Sequence, residues 1–498
     1  MKKAMQILSL LLAVILLVGL CACGKKDPGN TTATTEKPSE TTEQPDVTTE
    51  KTEAKPNVPT GVDYGGWEFR ILARNDSNYY SDELWVESAG GSKVDSAVYS
   101  RYKLIEQDYG VSFKLLTRKD QEGIDTWMNV NALSASQKDT FHLIATHGRN
   151  TAKYAVRNMA VDWNELKYVQ LDADWWSQDA RSQWATLSGR VYMMTGDLSY
   201  LSVGQAVGQF FNKILLVNAG LEYPYELVRN GEWTTENFQN YVKQLNSSLD
   251  RDGTGNITTD STGYATGWWR GPMNIIYSTG GRWLTVTEDD ITVIGVQDHD
   301  LTNAFDHYFE FLQSDGIMIG GNYAAAQKAF GENRVGFYDE ITMRAADLKA
   351  INPDFFGLVP MPKYNSDVEK NYTFVNAATN TFTVPAPVKN DSETSERTSV
   401  ILELMAFYGS RDVLPTYYSE MLTYGSMTDS DSVEMMGIIR NSLVYDLGYY
   451  YDINGFCDIG QNLAQELMES GTFTAFTTKY AELENRVTEP LSKWKALD

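Results

Sequence analysis

Cysteine and histidine are scarce in this chain of 498 residues, which holds three of the first and four of the second. Cys21 and Cys23 stand near the N-terminus, so Cys457 is the lone thiol of the body and no internal disulfide is open to it. The core must hold itself by packing. The histidines His142, His147, His299 and His307 are scattered, with no spacing that assembles a metal site. Gly-x-Ser-x-Gly, His-Glu-x-x-His and Cys-x-x-Cys are all missing. Positive charge is short too: 42 Lys and Arg face 66 Asp and Glu, a net charge of −24. That balance argues against nucleic acid and against direct contact with anionic lipid, both of which need basic patches. Long apolar runs are limited to Ile7–Leu20, which at about fourteen residues falls short of the roughly 20 a spanning helix needs.

What is present at the N-terminus points to export. Lys2 and Lys3 precede the apolar run, and Leu20-Cys21-Ala22-Cys23 closes it. The closing residues resemble the lipobox of bacterial lipoproteins, which makes 1–22 a signal peptide and Cys23 the acylated N-terminus. Cys21 fits less well, because Leu20 would stand immediately before it. Residues 23–61 are then a Thr/Glu/Pro tether with recurring Thr-Thr-Glu and almost no large apolar side chain. Such a segment cannot bury enough surface to order itself, and it reaches roughly 35 Å at about 5–6 Å × √n. The expected location is the extracellular face of the cell membrane, held there by lipid alone.

From Val62 onward the body is about 437 residues, too long for one core and natural for two domains. Alternation predicts strands at 67–73, 111–116 and 141–145, with an amphipathic helix over 95–109 capped by Asp95. Further helices are expected over 236–245, 303–312, 398–408 and 463–470, and short strands at 357–363 and 381–385. Thr234 or Thr235 caps the first of these helices, with Trp233 as its staple. Strands alternating with helices indicate an α/β sheet. Aromatics are plentiful, with 12 Trp, 29 Tyr and 19 Phe, and such rings serve both cores and wet recognition surfaces.

The order of landmarks along the body resembles extracellular solute-binding lipoproteins of the sugar-type ABC-importer class, in their Clostridia-like branch. The landmarks begin with Asp95-Ser-Ala-Val-Tyr-Ser-Arg101, Leu171-Asp-Ala-Asp-Trp-Trp176 and Gly189-Arg-Val-Tyr-Met-Met-Thr-Gly-Asp197. Phe210-Phe-Asn-Lys213, the segment from Pro224 to Thr234, Gly357-Leu-Val-Pro-Met-Pro-Lys-Tyr364 and Val413–Leu422 follow in order. The resemblance implies a two-lobed, periplasmic-binding-protein-like α/β fold with a hinge and a ligand cleft between the lobes. It places lobe 1 at 62–168 plus 357–420 and lobe 2 at 169–356 plus 421–498. It also implies a monomer that captures a small solute, foremost an oligosaccharide, for the permease subunits of an ABC importer, without chemistry of its own.

Indoles stack on pyranose faces, and polar neighbours take the hydroxyls. Candidate ligand residues are therefore Trp176, Trp268, Trp269, Arg270 and Trp283, with Asp197 and Asn212 near them. Arg74 and Trp85 follow the first strand, where cleft loops of α/β lobes lie. Asp250, Asp252, Thr254, Asn256 and Asp260 alternate like an EF-hand loop and could hold a structural Ca²⁺, although Thr254 replaces an acid and Asp260 arrives one position early. The plain alternative is a solvated Gly-rich turn. Two other readings of the whole chain stay open: a surface glycan- or peptide-binding adhesin without a transporter, and a glycoside hydrolase whose carboxylate pair spacing alone cannot reveal.

Overall fold

The computed structural model describes residues 55–75, 82–134, 140–296, 298–321, 323–352, 355–420 and 430–498. The signal, Cys23 and nearly all of the tether lie outside the described residues.

β1 (Trp67–Arg74), β2 (Val111–Arg118) and β3 (Leu143–His147) run parallel, with β1 in the middle. The helix Lys93–Tyr109 crosses from β1 to β2 and buries Val94, Val98, Tyr102, Ile105 and Tyr109. Its cap is Ser92, not Asp95. The Asp95 amide donates to Ser92 Oγ at 2.9 Å and the Ser92 amide returns to the Asp95 carboxylate at 2.7 Å, a reciprocal box that satisfies two orphan donors. The second sheet holds β4 (Val207–Asn212), β5 (Thr262–Thr266), β8 (Ile317–Ile319), β9 (Val335–Ile341) and β10 (Phe356–Pro360), in the order β10-β4-β9-β5-β8. Two minor pairs are β6 (Leu284–Val286) with β7 (Ile291–Val293), and β11 (Thr373–Phe374) with β13 (Leu443–Val444). β12 (Asn380–Thr383) returns to the first sheet and pairs antiparallel with β3.

The strand order moves both expected lobe boundaries. β10 lies antiparallel to β4, so 356–360 belongs to the second lobe and the chain returns to the first only near 375–385. The outgoing crossing is also later than 168, because Trp175 and Trp176 are bonded to Glu403 on the helix Ser392–Tyr408, which packs on the first-lobe helix Lys93–Tyr109. The two crossings run side by side. Met194 and Phe382 exchange amide hydrogen bonds of 2.9 Å each, and further bridges join Ala160 to Pro385 and Ala206 to Val375. The helix Ser392–Tyr408 packs on the first-lobe helix Lys93–Tyr109, whereas the helix Ser430–Arg440 packs against β10. Among the described residues no helix is long and apolar enough to cross a membrane.

One buried carboxylate organises the first-lobe side of the crossing. Glu403, with no exposed surface, accepts the indole N–H groups of Trp175 and Trp176 at 3.1 and 3.0 Å. It also takes the Gln170 amide at 3.1 Å and the Gln170 side chain at 2.9 Å. Truncating it strands several buried donors, each costing about 1–3 kcal/mol. Glu403→Ala is expected to lower the unfolding free energy by about 3 kcal/mol or more in urea titrations followed by tryptophan fluorescence.

Candidate functional site

Where the C-terminal ends of β3, β5 and β9 approach the paired crossings, a cleft of about 320 Å³ opens between the lobes. One wall carries Trp268, Trp269 and Arg270, which follow β5, together with Tyr323 at the start of the helix Tyr323–Gly331. The first lobe contributes His147 from the end of β3, and the crossings contribute Gln205, Asn376 and Ala378. The volume falls at the lower end of small-ligand sites, and its position matches the rule that α/β sheets bind at their carboxyl edges.

Beneath the wall, Arg270 is nearly buried and pairs with the buried Glu340 at 2.6 Å, while its guanidinium lies 3.9 Å from the centre of the Tyr323 ring. Glu340 also accepts the Tyr338 hydroxyl and the Ile341 amide, each at 2.7 Å. The neighbouring Asp339 takes the Tyr264 hydroxyl, Thr266 Oγ1 at 2.8 Å and Gln209 Nε2 at 2.8 Å. Burial pushes its carboxyl up to about 7. Gly271 is obligatory here, since a Cβ would collide with Asp339 and the Tyr308 hydroxyl. On the opposite lobe, His147 Nδ1 accepts the Arg149 amide at 3.2 Å, which leaves the ring proton on Nε2. Burial, with Arg74, Arg149 and Lys153 nearby, lowers its pKa to about 3, so the imidazole is neutral.

Of the residues singled out by sequence, Trp268, Trp269 and Arg270 line the cleft. Arg74 ends β1, buried beside His147, and is not among the lining residues. Trp85 is half-buried against the first-lobe core. Three expectations are corrected. Trp176 is 2 % exposed, tied to Glu403 and edge-on to Trp163 at 5.5 Å. Trp283 is 1 % exposed between Phe305 and Phe456. Asn212 is buried and caps the helix Lys213–Asn218 through the Leu215 amide at 3.0 Å. In each case the core claimed a residue type that a cleft also uses. Asp197 likewise faces Arg440 at 3.0 Å, away from the cleft lining. Sequence reasoning missed His147, Tyr323 and Asn376. His147 was signalled by its place at the end of a buried strand next to Gly148, whereas nothing local marks the other two.

The calcium-like loop closes on itself. Asp260 is buried and accepts the amides of Asp252, Gly255 and Ser261 at 2.8, 3.1 and 2.8 Å. Asp252 holds the Thr254 amide and hydroxyl at 2.9 and 2.6 Å, Asn256 holds the Thr258 amide at 3.0 Å, and Asp250 is exposed. Among the described residues no three His, Cys, Asp or Glu side chains converge to hold an ion. With Asp252 and Asp260 already engaged by the loop's own amides, stability is expected to change little when calcium is removed. A chelator-induced fall in Tm of several degrees that calcium reverses would overturn that expectation.

Similarity to known proteins enters through the fold. No family model matches the chain, and no curated protein matches it by sequence. Solved structures do match along most of its length. The cyclic α-maltosyl-1,6-maltose binding protein of Arthrobacter globiformis aligns at a TM-score of 0.55 and 13 % identity, over 87 % of this chain and 99 % of that one. UgpB of Mycobacterium tuberculosis, solved with glycerophosphocholine, aligns at 0.55 and 14 %, over 86 % and 99 %. The ABC substrate-binding protein Lmo0181 of Listeria monocytogenes, solved with cycloalternan, aligns at 0.53 and 13 %, over 86 % and 99 %. The fold is the two-lobed α/β fold of solute-binding proteins.

At the back of the hinge, Glu83 is wholly buried and joins both crossings: it accepts from Ser199, from the Leu201 amide at 3.2 Å and from Asn380. Arg101 lies close by and Tyr200 and Tyr417 flank it, yet burial dominates and pushes the carboxyl up to about 7. A carboxyl whose pKa is raised by folding binds its proton more tightly in the native state. The contribution of Glu83 to stability is therefore fullest below about pH 4.5 and is lost as pH rises through about 7. Asp339 and Asp446, raised to about 7 and about 6, act with the same sign. Glu83→Gln is expected to flatten the pH profile of unfolding free energy in part, and an unchanged profile would remove Glu83 from this account.

Proposed function

We propose that this chain is an extracellular solute-binding lipoprotein of the sugar-type importer class. It captures a solute, foremost an oligosaccharide, between its lobes and delivers it to the permease subunits of an ABC importer. The observation that carries the reading is the pairing of adjacent indoles, Trp268 and Trp269, with hydrogen-bonding groups supplied from the crossings and the opposite lobe. Flat apolar faces suit the C–H faces of sugar rings, and fixed polar groups set orientation. Ligand bridging both walls favours the closed state by its differential affinity, and closure is the signal a transporter reads. Two of the structural neighbours above were solved with or named for cyclic saccharides, which supports the same ligand class. In this reading the protein is a monomer that performs no reaction and needs no cofactor, the chain belongs to the Clostridia-like branch, and acylated Cys23 with its tether keeps the clamp beside the transporter.

The test is titration calorimetry against a panel of oligosaccharides, with chromatography of the recovered ligand. Binding without turnover is expected. Trp268→Ala and Trp269→Ala should each weaken binding about tenfold, near 1.4 kcal/mol. Heat with no saccharide would sink the carbohydrate assignment, and shortened products would turn the reading towards a hydrolase.

A further inference from the structure

The C-terminal helix Ile459–Ser470 also reaches the cleft, and Gln461 on its first turn is a lining residue. Two contacts fix where that turn lies. Gly460 presses on the start of the helix Gly271–Ser278, where a Cβ would collide with the Pro272 carbonyl. That helix follows directly on Trp268, Trp269 and Arg270, so the contact ties Gln461 to the aromatic wall. Asp458 stands at the N-cap, where an aspartate ordinarily accepts an amide of its own helix. Here it makes no such bond. Its carboxylate accepts instead from Arg149 Nη2 at 3.0 Å, on the helix Gly148–Ala155 that leaves β3. The same nitrogen meets Asp452, and the guanidinium lies 5.1 Å from the centre of the Tyr449 ring. Gly148 is itself tied to the crossing, its amide donating to the Ala377 carbonyl at 2.8 Å. First lobe, crossing and C-terminal helix are thereby joined at one edge of the cleft.

The side-chain amides at the cleft differ in how far they are engaged. Gln205 Oε1 takes Asn376 Nδ2 at 2.9 Å, and Gln205 Nε2 reaches Met343 Sδ at 3.3 Å. Asn376 Oδ1 takes the Ala378 amide at 2.9 Å. The Gln461 side chain, by contrast, bonds to no other described residue. An amide holds an acceptor and two donors in one plane, so it can accept from one sugar hydroxyl and donate to the next. With the backbone of that turn fixed from two sides, only the side-chain torsions of Gln461 remain to be ordered when solute binds. Resting on the solute-capture reading above, we infer that Gln461 reads adjacent hydroxyls of the bound saccharide and that Arg149, through Asp458, is the residue that positions it.

The experiment is calorimetry on the detergent-solubilised full chain, with maltotriose, cellotriose, mannotriose, xylotriose and cycloalternan as probes. For the saccharide bound most tightly, Gln461→Ala is expected to weaken binding about tenfold and leave the thermal unfolding curve unchanged. Arg149→Gln keeps the backbone amide that His147 Nδ1 accepts. It is expected to weaken binding about fivefold, with Arg149→Lys recovering most of the loss. In the Gln461→Ala background, Arg149→Gln should change affinity less than about twofold, because residues that act through one another are not additive. Asp458→Asn, a milder cut of the same bond, should repeat that dependence if Arg149→Gln fails to fold. An equal loss in both backgrounds makes Arg149 merely structural and overturns its positioning role. Full affinity in Gln461→Ala overturns the whole assignment and leaves saccharide capture standing. Binding of none of the probes overturns both.

Discussion

The antiparallel pairing of the two chain crossings is the constraint on which the rest of the molecule depends. Met194 and Phe382 bond to each other through both amides at 2.9 Å, and the Asn376 amide reaches the Gln205 carbonyl at 3.0 Å. These few bonds hold a four-stranded and a five-stranded sheet in a defined relation. The same backbone carries Gln205, Asn376 and Ala378 straight into the cleft. Crossing and cleft wall are thus one piece of chain, so a change in φ and ψ at the crossing moves groups that line the cleft. Glu83, joined to Ser199 on one crossing and Asn380 on the other, closes the back of this junction with a group that prefers to be neutral there.

Without a disulfide, the core relies on carboxylates buried with a full set of donors. Glu403 orients two indoles, and Asp446 takes the amides of Trp283, Leu284 and Gly448 at 2.6, 3.3 and 2.8 Å. Glu340 sets the Arg270 guanidinium against Tyr323. A buried charge is costly unless every partner is present, so each of these acids selects one arrangement of its neighbours and penalises the others. The large negative net charge therefore has two parts: a solvated exterior, and a few interior acids that position aromatic and basic side chains.

The Thr234 cap and the helix and strand periods were legible because their causes are local, whereas the cap of the helix Lys93–Tyr109 is Ser92, three residues before the expected Asp95. Trp233 packs on Phe238 at 6.0 Å across the Thr234 cap, and Val98, Tyr102 and Ile105 turn inward at helical spacing. The cleft was legible only where a loop left a strand end among glycines, as at Trp268-Trp269-Arg270. Trp176 and Trp283 carry the same side chain in similar company and are core, because Glu403 and the Phe305–Phe456 pocket enclose them from segments far away in sequence. The calcium-like loop has the oxygen spacing of a metal site, and its Asp260 carboxylate accepts three of the loop's backbone amides, contacts that spacing alone does not reveal.

By itself the sequence determined that the body is α/β, that its core must pack without covalent ties, and that its surface repels polyanions. Composition and period decide these properties, and both act over a few residues or over the whole chain at once. The lobe boundaries, the cleft and its charge were decided only by tertiary structure. β10 joins the second sheet through a register set by β4, far upstream, and Arg270 meets Tyr323, His147 and Asn376 only after the crossings have paired. Contacts between segments so far apart depend on chain closure and mutual burial, and no local pattern of residues encodes them.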